Sequence, residues 1–322
     1  MSNRIRMLLA LTCLGATFAA RAAVPPPPVD HHQHLLSPSM VEAGQKPIDA
    51  KALIAMLDAA GIRRAAILSN AFRFGLPDAT SADEYQRVIA ENDWTGREAA
   101  KSPRRLVALC SFSPLKEYAL GELRRCARDK RFGRAIKLQL GVADVDFDDA
   151  TDVALLRRVF RAANAEGLGI VVHLRTRRAR HYGAAQARIF MDEVLAVAPD
   201  ITVQVAHLAG GGGGSLDAGA QEMLDEFAAA IARKDPKVAH LAFDLSGAIG
   251  GEGWPARAQL VADRLRALGL QRIYYGSDGG DPTDPPAKDV VAAYRQLPLT
   301  PREFATIDAN LAPWLALRPR GK

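Results

Sequence analysis

Eight short runs of apolar and β-branched residues, each separated from the next by a segment of mostly helical periodicity, constrain the fold of this chain more than any other feature. The runs are Val29–His34, Arg64–Ser69, Leu106–Ser113, Ala135–Leu140, Gly169–Leu174, Ile201–His207, Val238–Leu245 and Arg272–Ser277. Helical patterns cover Asp49–Ala60, Asp83–Ala100, Glu117–Lys130, Thr151–Glu166, Ala184–Ala198, Leu216–Arg233 and Pro255–Leu268, and several stop at Gly61, Pro103, Gly167, Pro199 or Gly269, where helices end. Runs such as Ile170-Val171-Val172 carry no polar alternation, as parallel strands covered on both faces require. The expected fold is therefore α/β, a (β/α)8 TIM barrel, with a doubly wound open sheet as the alternative. The 322 residues suit one such barrel, which typically takes ~250 residues plus insertions.

The N-terminus has Arg4 and Arg6, an apolar run Met7–Ala20 and the small-x-small sequence Ala20-Arg21-Ala22, a pattern expected of a cleaved export signal spanning residues 1–22. The run is shorter than the ~20 residues a membrane-spanning helix needs. A periplasmic or secreted protein follows, with no membrane attachment after cleavage, a proline-rich lead-in at 23–28 and a single barrel domain at 29–322. Cleavage removes three arginines and no acid, lowering the formal charge from +6 to +3, and no basic helix with interleaved aromatics is present. Nucleic acid is thus not an expected partner. The mature part keeps Cys110 and Cys126, which in an oxidising compartment either pair or remain buried thiols.

In a barrel the chemistry sits where the strands end, so the residues at those ends carry the functional argument. The first run ends in Asp30-His31-His32-Gln33-His34, the fourth carries Lys137, the fifth ends in His173, the sixth in His207, and the eighth leads into Gly276-Ser277-Asp278. In an extended strand His32 and His34 share a side and can offer two imidazoles to one ion. Imidazole and carboxylate donors suit a divalent metal, zinc foremost.

This set resembles the amidohydrolase superfamily, in particular its amidohydrolase-2 branch of metal-dependent barrel hydrolases and non-oxidative decarboxylases. The resemblance rests on Asp30-His31-His32-Gln33-His34, Val172-His173-Leu174-Arg175, Ala206-His207-Leu208-Ala209-Gly210 and Gly276-Ser277-Asp278, in that order, with softer similarity at Glu91-Asn92-Asp93-Trp94 and Pro103-Arg104-Arg105-Leu106-Val107. It implies that His32, His34, His173 and Asp278 hold one metal, that Asp278 also takes a proton from water, and that His207 orients the water or the substrate oxygen. It also implies a two-metal alternative in which Lys137 is carboxylated and His207 joins the second ion. With one metal, Lys137 instead meets an anionic substrate group.

Other polar residues have plainer readings. His31 is expected to pack on the face opposite the clamp, His181 to lie in a solvated loop and His240 to be structural. Asp244 and Ser246 either line the pocket or cap a helix, and Gly210–Gly214 form a flexible pocket edge. Arg73, Arg175 and Arg178 fall in loops after strands; Arg175, two residues beyond His173, is the foremost carboxylate clamp, with Arg73 and Lys137 also facing substrate. The leading functional expectation is an exported hydrolase that directs metal-activated water to an amide, ester or lactone carbonyl of a small carboxylated molecule. The alternative is a decarboxylase of an unsaturated or aromatic acid, and a third reading is a binding protein that kept the barrel without turnover. The sequence leaves a homo-oligomer open.

Overall fold

A computed structural model describes residues 25–316 apart from 79–80, 177–180, 215, 252 and 281–283. The expected signal segment and Arg178 therefore lie outside the described residues. Eight parallel strands follow one another in chain order around a single sheet: β1 Val29–Gln33, β2 Arg64–Leu68, β3 Leu106–Ser111, β4 Phe132–Gln139, β5 Gly169–His173, β6 Val203–Val205, β7 Leu241–Asp244 and β8 Ile273–Tyr274. Past the end of β8 the chain closes on β1: His31 N–H donates to the Tyr275 carbonyl, Asp278 N–H to that of His32, and His34 N–H to that of Gly279, at 2.9, 2.9 and 2.7 Å. The fold is the (β/α)8 barrel that the alternation of patterns implies.

The intervening helices form where the sequence supplies both an apolar face and a terminal cap. In α1 (Ala50–Ala59) the Asp49 side chain accepts from Ala52 N–H, and in α5 (Ala150–Glu166) Asp149 accepts from Thr151 N–H while Gly167 takes the left-handed φ of 62° that ends the helix. The others are α2 (Glu84–Ala100), α3 (Ala119–Arg128), the single turn α4 (Leu140–Ala143), α6 (Ala184–Ile189), α7 (Ala218–Ala232), α8 (Ala258–Leu268), α9 (Ala287–Arg295) and α10 (Pro301–Ala309). The expected Ala184–Ala198 helix breaks instead into α6, a π-helical turn at Phe190–Val194 and a 3₁₀ turn at Leu195–Val197. Among the described residues no helix is long and apolar enough to cross a membrane. Cys110 of β3 and Cys126 of α3 form a disulfide, which decides the alternative that the sequence left open.

Strand parity divides the interior in two. Ile67, Ala108, Cys110, Ile136, Ile170, Val172 and Phe243 pack outward against the helices, whereas Ala66, Leu68, Leu109, Ala135, Val171, Ala242 and Tyr274 form a separate cluster in the bore. That cluster contains Trp314 and Leu315 from a 3₁₀ turn at Pro313–Leu315, so the last described segment plugs the bore from the N-terminal ends of the strands. The small alanines of the bore leave the volume that the indole fills. Trp314→Ala should cost about 3–5 kcal/mol of unfolding free energy, because the cavity it leaves is walled by strands that cannot collapse. A chemical denaturation midpoint shifted by less than a third of that would contradict the plug.

Candidate active site

The parity that places Ala135, Val171 and Ala242 in the bore also places Lys137, His173 and Asp244, two residues on, at the top of it. β1 departs from simple alternation. Between Asp30 and Gln33 it holds one more residue than β2 does between Ala65 and Ile67, a bulge that separates the roles of neighbouring histidines. His31 stacks on Tyr274 with ring centroids 4.6 Å apart, donates to the Tyr275 carbonyl and accepts from Ala312 N–H, a wholly structural set of contacts. His32 and His34 serve the cavity above. Asp30, fully buried, accepts from His32 N–H, Gln33 Nε2, and the Ser277 N–H and hydroxyl, joining β1 to the segment after β8; burial raises its carboxyl to about 6.

His32 donates from Nδ1 to Asp244 Oδ2 at 3.0 Å, and His34 donates from Nδ1 to the Leu68 carbonyl at 2.7 Å. With both Nδ1 hydrogens so engaged, each ring turns an Nε2 lone pair toward Asp278, whose Oδ1 lies 3.3 Å from His32 and 3.8 Å from His34. Burial is the largest influence holding both imidazoles below their ordinary pKa and hence neutral, helped by the positive charge of Lys137. The ligand atoms of His32, His34 and Asp278 lie within 4.8 Å of one another, a donor set that fits a divalent ion. His173 lines the same cavity edge-on to His207, ring centroids 4.7 Å apart, but is not a member of that tight trio.

Asp244 is the hub of the rim. Its Oδ2 accepts from His32 and from Gln204 Nε2 at 2.6 Å, and its Oδ1 from the His207 and Ser246 N–H groups, both at 3.1 Å, and from the Ser246 hydroxyl at 2.5 Å. Burial pushes this carboxyl up, but the imidazoles of His32 and His207 and the Ser246 hydroxyl outweigh it and keep the group ionised. Of the alternatives weighed from sequence, neither pocket lining nor helix capping describes it, because it orients groups that face the pocket.

β6 ends at Val205, two residues short of the expected strand end, because the chain turns sharply there. His207, Leu208 and Ala209 take φ values of 58°, 49° and 61°, and Asp278 takes 59°. These left-handed conformations are costly for residues with a Cβ and are retained where the surrounding structure imposes them, most often at functional sites. The turn brings His207 Nδ1 within 2.8 Å of the Ser246 carbonyl and 3.7 Å of Asp278 Oδ2. Gly247, at φ +58°, leaves room for this approach: a Cβ there would stand 3.2 Å from both His207 Nδ1 and Asp278 Oδ2 and 2.8 Å from Gly212 Cα. Gly247→Ala should lower kcat/KM by roughly 10- to 100-fold through displacement of these groups, and an unchanged value would exclude the close approach.

The cavity measures about 240 Å³, and its walls include Phe72, Arg73, Lys137 and Gly211–Gly213. Lys137 Nζ, almost fully buried, lies 3.3 Å from His32 Nε2, and burial lowers its ammonium to about 8. Arg73 stands at the exposed mouth. Arg175 does not line the cavity: it pairs with Asp217 at 2.7 Å and lies over the Tyr182 ring at 4.4 Å, drawn away from the bore by these partners. His181 pairs with Asp148 on the surface, and His240 is exposed, its carbonyl accepting from Val203 N–H. Gly211–Gly213 edge the pocket as expected.

A family model described as amidohydrolase matches residues 29–309, and the chain belongs to this amidohydrolase-2 family of metal-dependent barrel enzymes. Comparison with curated proteins yields no match. Among solved structures the chain is similar to 5-carboxyvanillate decarboxylase from Sphingomonas paucimobilis, at 14% identity and TM-score 0.61, over 89% of this chain and 97% of that one. It is similar also to a probable 2-pyrone-4,6-dicarboxylic acid hydrolase from Acinetobacter baumannii with citric acid bound, at 14% identity and TM-score 0.57, over 87% and 96%. A third is a dihydroxybenzoic acid decarboxylase from Polaromonas sp. with bound manganese and the inhibitor 2-nitroresorcinol, at 13% identity and TM-score 0.55, over 88% and 94%.

Proposed function

We propose that this protein is an exported hydrolase that adds water to an amide, ester or lactone carbonyl of a small carboxylated substrate. The observation that carries the reading is the Asp278 carboxylate, 3.3 Å from His32 Nε2 and 3.7 Å from His207 Nδ1, partly open to a cavity that has a buried amine on one wall and a guanidinium at its mouth. His32, His34 and Asp278, with His173 beside them, would hold a divalent ion, zinc or manganese, which when bound polarises a carbonyl and lowers the pKa of water. Asp278 takes the proton of the attacking water at the carboxylate oxygen that faces His207. His207, whose Nδ1 hydrogen is committed to the Ser246 carbonyl, keeps Nε2 as an acceptor that orients the same water. Lys137 and Arg73 attract the substrate carboxylate, and the desolvated walls of the bore strengthen that attraction. The Cys110–Cys126 disulfide supports an oxidising compartment, in keeping with the N-terminal signal pattern.

Decarboxylation is the second reading, favoured by Phe72 and Leu36 beside the cationic groups, a wall suited to an aromatic acid, and by the two decarboxylases among the compared structures. Metal-loaded protein tested on carboxylated lactones, esters, amides and hydroxybenzoates in ¹⁸O-water separates them. Label in a new product carboxylate is expected. Release of CO₂ with no label incorporated overturns hydrolysis in favour of the second reading, and inertness across the panel overturns both.

A further inference from the structure

The opposite mouth of the barrel holds a second cavity. It measures about 510 Å³ and opens where β2, β3 and β4 begin, beside the Trp314 plug. Six-residue β3 sets it roughly 20 Å from the catalytic rim, at ~3.3 Å per residue. In barrels this end normally serves stability alone. Here its chemistry is one-sided: Arg64, Lys130, Arg131 and Arg134 line it, and among the described residues no acid does.

Two of its buried donors lack acceptors. Arg131 is engaged by Asp129 and Asp93, and Arg134 by the carbonyls of Ala127 and Glu166. The Arg64 side chain has no hydrogen bond or ion pair among the described residues, and its Nε is buried. Burial alone acts on its guanidinium and lowers its pKa, with no carboxylate near enough to oppose the effect. Trp314, 5% exposed, has a buried Nε1 hydrogen that is likewise unpartnered. Buried donors left without acceptors are rare in folded proteins and invite an explanation. Around them Leu106, Val107, Phe132 and the indole supply apolar walls.

We infer that this cavity binds a small carboxylate with an apolar body, an aryl carboxylate in chemical class, whose oxygens accept from Arg64 and from Trp314 Nε1. A guanidinium fork matches a carboxylate, and the apolar walls favour a ring over inorganic phosphate. The site is independent of the catalytic reading above.

Titration of the full-length protein with benzoate, by calorimetry and by tryptophan fluorescence, tests the inference. Saturable binding is expected, weakened at least about tenfold by Arg64→Gln and, by calorimetry, by Trp314→Phe, which keeps the ring and removes only the N–H donor. His32→Ala with His34→Ala, which disables the catalytic rim, should leave the benzoate affinity within twofold. Absence of saturable benzoate binding, binding that neither the Arg64 nor the Trp314 variant alters, or binding of inorganic phosphate in preference to benzoate overturns it. Should Arg64→Gln fail to fold, Trp314→Phe carries the test alone.

Discussion

Replacement of His32 and His34 together by alanine is expected to abolish stoichiometric metal binding and to lower turnover by roughly a thousandfold or more, since the stabilisation at stake is several kcal/mol. Both rings are held from behind, by Asp244 and by the Leu68 carbonyl, so their Nε2 atoms are presented in advance of any ion. Deleting them leaves Asp278 without the two imidazoles that complete its tight donor set. Elemental analysis of purified protein, with kinetics on whichever substrate the ¹⁸O panel identifies, checks both parts. Full metal content in the double variant would move the centre to other ligands, and a ratio near two ions per chain in the parent would promote Lys137 to a bridging role.

The second large effect is expected from a residue that touches no substrate. In Asp244→Asn the His207 and Ser246 N–H groups still require an oxygen at the Oδ1 position, so the amide nitrogen must take the place of Oδ2. There it opposes two other donors, His32 Nδ1 and Gln204 Nε2. His32 relieves this clash by moving its proton to Nε2, which removes the lone pair needed for a ligand, or by rotating so that Nδ1 donates to the Ser246 hydroxyl oxygen alone, 3.0 Å away, which turns Nε2 from its place. Metal affinity should fall by about 10- to 100-fold, the usual cost of losing an orienting group behind a ligand. Unfolding free energy should fall by about 3 kcal/mol, because the buried donors lose their acceptor. Zinc titration of the apoprotein measures the first and a denaturation curve the second. Parental affinity in the variant would show that His32 needs no support.

Asp244 is a residue whose role its sequence context does not reveal. A lone aspartate at a strand end is equally consistent with a pocket wall and a cap, and only register against neighbouring strands decides. Parity offered the missing signal: Asp244 follows Ala242 by two, as Lys137 follows Ala135 and His173 follows Val171, so all three rise from the bore. The eight strands themselves were legible because covered parallel strands read as apolar runs bounded by glycine, proline and polar turns. Their ends were less so. β6, β7 and β8 are shorter than their apolar runs: at β6 the chain leaves the ladder to bring His207 to the rim, and past β8 the left-handed residue Asp278 interrupts the strand while its N–H still bonds to β1. α9 and α10 lie beyond the last helical pattern that the spacing shows, although Thr300 and Glu303 form a capping box visible in the sequence. Arg175 illustrates the limit of spacing: two residues beyond a strand end, periodicity no longer says where a side chain turns, and its position follows from Asp217 and Tyr182.

The left-handed turn after β6 also bears on how this protein can be improved. Three consecutive side-chain-bearing residues there hold a backbone shape that glycine adopts without penalty, so part of the molecule's folding energy is kept as tension beneath His207. Ala209→Gly should release some of it, raising the melting temperature while slackening the imidazole that the tension positions. Selection for heat resistance alone would drift toward such changes and return a sturdier, slower catalyst, so any such screen must score turnover alongside survival.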